Sequence, residues 1–404
     1  MVDETRVGHS IYPFDDFFVH HSCLSAHYQS ARLQRDGVAN VYERTNFEGP
    51  NGEPKYVGGF VIDVFIYPPP FLLLSRLGLA LSENFTVWRA VWFGMEGAIV
   101  ASALLAVALW IGGRIGRRAA LLSPIIWLSL PLLLTLQFGN FQLVAIAGSM
   151  LAMLAFERRQ HAVGGALLAA LVLSKIFPGI LVLLLLFQRR WRSLVWTAGF
   201  GVLLLVTAFA VLGPAPFRAM ISYNLPRLSS GDALETQFAH PDAIAANHAV
   251  YGLVQKLSLL GVPGMSQGTA AAVSWLYTAV LVAVAALGAR ASSERLPRAL
   301  VWLTLLHLGS LRSPFTPDVY ALFPPVWILV LLLAGVEWRG WRPALLFGLV
   351  VLANFIVPTV PVLPLSALLK LTLAHQVLFL ALCFWVLVVQ WRRGAGRMPT
   401  HAPG

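Results

Sequence analysis

In GGALLAALVLSKIFPGILVLLLLFQRRWR, from Gly164 to Arg192, Lys175 is the one charge within an almost wholly apolar run that lasts to Phe187, with Pro178 shortly after it and a basic flank from Arg189 on. A lysine costs roughly 2.5–3.5 kcal/mol at the centre of a membrane-spanning helix. One kept there is either an ammonium that holds an anion or a snorkelling anchor. Arg312 and Asp318 flank a proline-interrupted turn, Arg312-Ser313-Pro314-Phe315-Thr316-Pro317-Asp318. The guanidinium could grip a phosphate bidentately, or it could pair with Asp318 and fix the turn. Gln137, Asn140, Asn247 and His248 could hydrogen-bond a hydroxylated or phosphorylated ligand, and each could equally cap a helix start. Asp15 and Asp16 offer carboxylates, a group suited to general-base work. Asp16 also suits the N-cap of a helix beginning at Phe17, and Asp15 reads as a cap or as solvent-facing. His20 and His21 read as exposed at an interface. Glu96 falls in the middle of an apolar run, where it is expected to hydrogen-bond a neighbouring helix.

The elements that must position these residues follow from composition. The chain has 404 residues, 58% hydrophobic and 12% charged, with a mean hydropathy of +0.73. Those values belong to multi-span membrane proteins and exclude an ordinary soluble enzyme. Residues 1–66 are polar and aromatic-rich with no run long enough to span, and residues 68–82 are expected as a helix at the membrane interface. Spans are then expected at Phe85–Gly112, Ala119–Leu136, Phe141–Phe156, Ser193–Leu212, Thr269–Ala289, Ala299–Leu311, Val319–Val336, Ala344–Val357 and Leu365–Gln390. Between the third and fourth of these, basic residues flank the Lys175 run on both sides. It must therefore turn back on itself, as helices 162–174 and 177–187 meeting at Lys175-Ile176-Phe177-Pro178. Proline suits that turn, because it starts a helix well and continues one badly. Lys175 then lies at a membrane rim and not in the bilayer core. A loop from 213 to 268 is expected to carry an amphipathic helix near Asn247–Leu260.

Charge orients these spans. Sixteen of the 29 Lys/Arg but only three of the 18 Asp/Glu fall in one set of loops, which makes that set cytoplasmic. The net charge of +11 is accounted for by topology, so no nucleic-acid partner is implied. Eleven spans are expected, an odd number, which places residues 1–84 outside and the basic tail 392–404 inside. A further helix upstream of residue 1 is expected to carry the N-terminal segment across. The expected regions are an outer segment 1–84, helices 85–212 with the hairpin 162–187, an outer loop 213–268, helices 269–391 and the tail. Cys23 and Cys383 fall in an outer segment and the last span, which suggests neither a disulfide nor a metal cluster.

The loops on the inner side are all short, and no Walker or GxGxxG pattern occurs, so there is no room for a cytosolic nucleotide-binding domain. The polar material gathers on the outer side, where an enzyme would have to draw its activated substrate from the membrane. A lipid phosphate carrying a group to be transferred would meet Lys175 at the rim.

From Gln137 to Trp191 the sequence resembles the GT-C membrane glycosyltransferases of family 87, the polyprenol-phosphate-mannose-dependent mannosyltransferase type. The matching features are Gln137-x-x-Asn140 at a helix start, the basic loop Arg158-Arg159, Gly165, Lys175-x-x-Pro178 and Arg189-Arg190-Trp191. Asp16-Phe17, Gly37, Tyr42, Tyr67-Pro68-Pro69, Asn247-His248-x-x-x-Gly252-Leu253 and Ser313-Pro314 with Asp318 extend the likeness along most of the chain. The family's first helix is absent here, and Val319 stands where a histidine is often found. The resemblance implies an all-α integral-membrane GT-C-like bundle with its active site formed by extracytoplasmic loops. It implies hexose transfer, on the family pattern mannose, from a polyprenyl-phosphate donor to a lipid- or glycan-linked acceptor. It implies inversion at the sugar carbon, no cofactor and no metal. Asp16, with Asp15 beside it, would be the base. Lys175 and Arg312 would bind the donor phosphate. Gln137, Asn140, Asn247, His248, Asp318 and Tyr67 would contact substrates, with Tyr67-Pro68-Pro69 shaping the helix that lines the acceptor groove. The rival reading is a transporter or flippase of a lipid-linked glycan, which calls for polar groups along a midplane path and internal repeats. The sequence offers Glu96 as the one mid-span acid and no evident repeat. A non-catalytic remnant is a third reading, motivated by the absent first helix.

Overall fold

The computed structural model describes residue 11 and residues 16–291, 293–355 and 363–395. The first segment holds α1 (Asp16–His20), β1 (His21–Ser22), α2 (Leu24–Arg35), β2 (Tyr56–Val57) and β3 (Phe60–Ile62). The expectation of an all-α fold thus needs one amendment, a small sheet in the order β1-β3-β2. β1 pairs parallel to β3 with His21 beside Val61, and β2 pairs antiparallel to β3. The strands are too short to show period-2 patterning in the sequence. α3 (Phe71–Leu81) follows at the expected interfacial helix and packs on α2.

The long helices begin with α4 (Phe85–Ile111), then α5 (Gly113–Trp127), α6 (Leu130–Phe138), α7 (Gln142–Glu157), α8 (His161–Ser174), α9 (Gly179–Phe187) and α10 (Trp191–Leu212). Asn84 caps α4, its Oδ1 accepting from the N–H groups of Thr86 (2.8 Å) and Val87 (3.3 Å). The expected span Ala119–Leu136 is a broken pair, α5 and α6, bent by 61°. Pro131 near the start of α6 has no N–H to continue the ladder, and the N–H of Leu130, left open as the first of the new helix, donates to Asn354 Oδ1 at 2.8 Å. The Lys175 hairpin forms as expected from α8 and α9.

The second half passes through short helices α11 (Ala215–Ala219), α12 (Leu225–Ser230), α13 (Glu235–Ala239) and α14 (Pro241–Ala246) to α15 (Val250–Leu259) and α16 (Gln267–Ala289). It closes with α17 (Arg295–Ser310), α18 (Asp318–Ala321), α19 (Phe323–Gly335), α20 (Arg342–Leu352) and α21 (Leu365–Ala395). Among the described residues five helical stretches, one of them α18 running into α19, are long and apolar enough to cross a membrane, six if the bent pair α5–α6 counts as one crossing. The remaining apolar helices are shorter. α7 and α17, with 16 residues each, reach only about 24 Å at ~1.5 Å per residue.

Packing separates a protein-filled interior from an apolar exterior. α7, α17 and α19 are buried almost throughout. In α10 only 11% of the apolar window is buried, so Val195, Val202, Leu203, Val206 and Phe209 face outward. An apolar exterior of that extent marks a lipid-facing surface.

The helices run between two unlike ends. At one, Glu157 closes α7 and takes both Arg190 (2.6 Å) and Arg298 on its carboxylate, while Arg295 donates to Trp110 O and Arg118 to Val336 O. At the other, Asn140, Gln142, Lys175 and the loop after α17 meet the β-sheet segment.

Candidate functional site

Lys175 caps the C-terminus of α8 in extended conformation, outside both helices of its hairpin. Its Nζ donates to Asn140 Oδ1 and to Gln142 Oε1, each at 3.0 Å. It also lies 5.6 Å from the centre of the Tyr67 ring. Both hydrogen-bond partners are neutral amides, and no carboxylate pairs with the ammonium among the described residues. Burial pulls its pKa down to about 8, opposed by the charges of Cys23 and Glu96. Glu96 is fully buried in α4, in the middle of that helix.

The residues around Lys175 are held from several elements. Gly139 ends α6 in the left-handed region and turns the chain so that Asn140 and Gln142 point together. Tyr67 stacks on Phe71 at 5.1 Å, and its carbonyl accepts from Tyr42 O–H at 3.0 Å, which accounts for Tyr42. His27 packs on Tyr67 at 4.5 Å. Burial and the Lys175 charge lower its pKa to about 3, so the ring stays neutral, and neither of its nitrogens has a hydrogen-bond partner.

Asn140 also links this cluster to a second one. Its Nδ2 donates to Cys23 Sγ at 3.2 Å, and Tyr320 O–H lies 3.1 Å from the same sulfur. His21 Nε2 is 3.4 Å from Cys23 Sγ, and His21 Nδ1 is 3.6 Å from Asp63 Oδ1. His21 is therefore almost buried, against its expected exposure, because Phe17 stacks on it at 4.4 Å and Phe138 meets it edge-on at 4.8 Å. Burial pushes the Cys23 thiol up to about 12 and raises the Asp63 carboxyl. With nothing bound, both hold their protons more readily than usual. Cys23, Asp63, Tyr320 and Gln142 were not foreseen. His21 and Cys23 at i and i+2 carried one signal, since strand spacing puts them on one face.

The loop after α17 forms the third part. Gly309 lies against the Phe177 carbonyl and Ile180 of the hairpin, which seats the end of α17 on the hairpin just before the Ser313-Pro314 turn. Asn247 pins this turn. Its Nδ2 donates to Pro314 O at 3.0 Å, and its Oδ1 accepts from Thr316 N and Ala249 N, both at 3.0 Å. Gly252 explains its own place in the motif, because a Cβ there would fall 2.5 Å from Asn247 Cγ. His248 Nε2 lies 3.2 Å from His375 Nδ1, and Gln376 ties the His248 carbonyl (2.7 Å) to the fully buried Lys256 (3.1 Å). Asn247 and His248 thus spend their polar atoms on the protein. Asp318 opens α18 and accepts from Val319 N at 2.7 Å. Arg312 Nε donates to Thr278 Oγ1 at 2.5 Å, with its guanidinium 5.0 Å from the Trp275 ring, so it leans on α16.

Gln137 donates from Nε2 to Phe18 O at 2.7 Å and accepts Ile11 N–H at 2.9 Å, which binds the N-terminal segment to α6. Asp15 lies outside the described residues. Asp16 begins α1, one turn ahead of His20 and His21, and its side chain is not among the described ones.

No curated protein and no solved structure matches the chain. The chain matches glycosyltransferase family 87 over residues 65–314. That range takes in Tyr67, Gln137, Asn140, Lys175, Asn247, His248 and Arg312, and it covers more than half of the sequence. The chain therefore belongs to glycosyltransferase family 87 and, with its apolar helices, is a membrane glycosyltransferase.

Proposed function

We propose that the protein transfers a hexose, on the family pattern mannose, from a polyprenyl-phosphate donor to a lipid- or glycan-linked acceptor on the extracytoplasmic face of the plasma membrane. The observation that carries this reading is Lys175, a half-buried ammonium whose hydrogen bonds among the described residues go to neutral amides, so that its charge is left for an anion. The opposite end of the helices gathers Arg118, Arg190, Arg295 and Arg298, which supports placing Lys175 outside. The eleven-span reading belongs here too, with the short helices α7, α8, α9 and α17 inside a GT-C-like bundle.

In the reaction, the Asp16 carboxylate, with Asp15 beside it, takes the proton of an acceptor hydroxyl. The hydroxyl oxygen attacks the anomeric carbon from the face opposite the phosphate. The carbon–oxygen bond to phosphate breaks, its electron pair leaves with the polyprenyl phosphate, and configuration inverts. Lys175 stabilises the charge that builds on that phosphate, a preorganised cation in a water-poor site. Arg312 is the second cation, its Nε held by Thr278 and its guanidinium over the Trp275 ring. Gln137 fixes the segment that carries Asp16, Tyr67 and Asn140 align Lys175, and Asn247, His248 and Asp318 hold the Ser313-Pro314 turn beside the donor.

The test uses the full chain in lipid nanodiscs with a radiolabelled polyprenyl-phosphate mannose and membrane-extracted acceptors. Transfer by the wild type, abolished in Asp16→Asn, is expected. Full transfer by Asp16→Asn would remove the base assignment, and no transfer from any polyprenyl-phosphate hexose would remove the donor class.

A further inference from the structure

We propose that His21, Cys23 and Asp63 form a binding site for a divalent transition metal, zinc foremost. The site does not depend on the identity of the donor or on the role of Asp16.

The geometry comes first. One donor atom from each residue can be chosen so that all three lie within 4.8 Å of one another. The sulfur is 3.4 Å from His21 Nε2, and His21 Nδ1 is 3.6 Å from Asp63 Oδ1. Two ligands of one tetrahedral zinc, bound at about 2.0–2.3 Å, stand about 3.3–3.8 Å apart. These two contacts use different nitrogens of the ring, so an ion held through one of them draws in a donor set that now lies within 4.8 Å, closing it by up to about 1 Å to reach tetrahedral spacing.

The backbone that presents them is fixed without the metal. β1 and β3 pair with His21 beside Val61 and Ser22 beside Ile62, which places Asp63 at the end of the same ladder. Ser25 Oγ lies 2.6 Å from the Ser22 carbonyl and 2.9 Å from the Val61 carbonyl, and accepts Asp63 N–H at 3.0 Å. A short helix, two strands and one hydroxyl thus lock three ligands that are distant in sequence.

The chemistry of the set selects the metal class. Thiolate, imidazole and carboxylate together suit zinc or a neighbouring transition ion, whereas magnesium and calcium call for oxygen alone. Asn140 Nδ2 and Tyr320 O–H reach the sulfur from outside the set. Donors of that kind orient a ligand and tune its metal. Cys23 is buried, while the Asp63 side chain is 30% exposed, which leaves an approach from the surface. Three protein ligands leave one tetrahedral position for water or a substrate oxygen. Asn140 would then join the metal ligand Cys23 to Lys175 by two hydrogen bonds.

The test measures metal directly. Full-length protein is purified in detergent, its metal content is determined, and chelator-stripped protein is titrated with Co2+ as the spectroscopic probe. The expected result is zinc in equimolar amount and a sulfur-to-cobalt charge-transfer band that zinc displaces. Cys23→Ser and His21→Ala should lose the band and at least tenfold in affinity, while Cys383→Ser, altering the cysteine of α21, should keep both. A missing band in stripped wild type, or an unchanged band in Cys23→Ser, overturns the proposal. The wild-type titration decides the matter even if a variant fails to fold.

Discussion

Asn140 accepts a hydrogen bond from Lys175 Nζ at 3.0 Å with one end of its amide and donates to Cys23 Sγ at 3.2 Å with the other. The same side chain thus orients the lysine and ties the first segment of the chain to the helix hairpin. Since Lys175 has no carboxylate partner among the described residues, the amides hold its position without neutralising its charge.

Replacing Lys175 should therefore cost catalysis more than folding. Lys175→Ala is expected to lower transfer from a polyprenyl-phosphate hexose by about 100-fold or more, the scale for removing a preorganised charge stabiliser. Lys175→Arg should recover part of the loss. Initial rates in nanodiscs measure it, with size-exclusion chromatography as the control for folding. A Lys175→Ala enzyme of wild-type rate would end the phosphate-binding role.

Binding of the donor should also depend on pH in a definite direction. Burial lowers the Lys175 pKa to about 8, so the ammonium is present below that value and is lost above it. Donor affinity should fall as pH rises through about 8, where an ordinary lysine, with a pKa near ~10.4, is still charged. The KM for donor measured from pH 6 to 10 should show this rise in wild type, and Lys175→Arg should abolish it.

Gly252 should tolerate no side chain. A Cβ there would lie 2.5 Å from Asn247 Cγ and 2.7 Å from the Asn247 carbonyl, so Gly252→Ala must push Asn247 off the Ser313-Pro314 turn. Overpacking of this kind costs typically 1–3 kcal/mol. Lower thermal stability together with about tenfold slower transfer is expected, and Asn247→Ala should show the same pair of effects. Unchanged stability in Gly252→Ala would mean that the turn is held some other way.

Glu157 should matter to stability and little to the reaction. Its carboxylate, largely buried, binds Arg190 and Arg298 and so joins the ends of α7, α10 and α17. Both arginines are partly exposed, which limits the effect of Glu157→Gln to about 1–3 kcal/mol. The expected readout is a melting temperature lower by a few degrees in detergent, with near-normal transfer at low temperature.

The sequence determined what the solvent dictates. Apolar runs between arginines forced helices through a membrane, and the two basic flanks of the Lys175 stretch forced it to fold back, as α8 and α9 do. Local chemistry was equally legible where one residue settles a conformation. Pro178, which starts a helix well and continues one badly, stands where the turn gives way to α9. Family motifs between Tyr67 and Arg312 were readable for the same reason, since each is a short local pattern.

What the sequence could not show depends on contacts between distant segments. Pro131 breaks a run that apolarity alone reads as one span, and Asn354, far along the chain, accepts the N–H of Leu130 that the new helix start leaves open. The pairing of β1 with β3 is too short to leave a pattern, yet it brings Asp63 to His21 and Cys23 across some 40 residues. Arg312 and Asp318 looked like partners across one turn, but Arg312 donates to Thr278 on α16 instead. Lys175 was visible from the start as a lysine that needed a reason. Only the tertiary structure surrounded it with amides, because Asn140 and Gln142 reach it from a helix start more than thirty residues away.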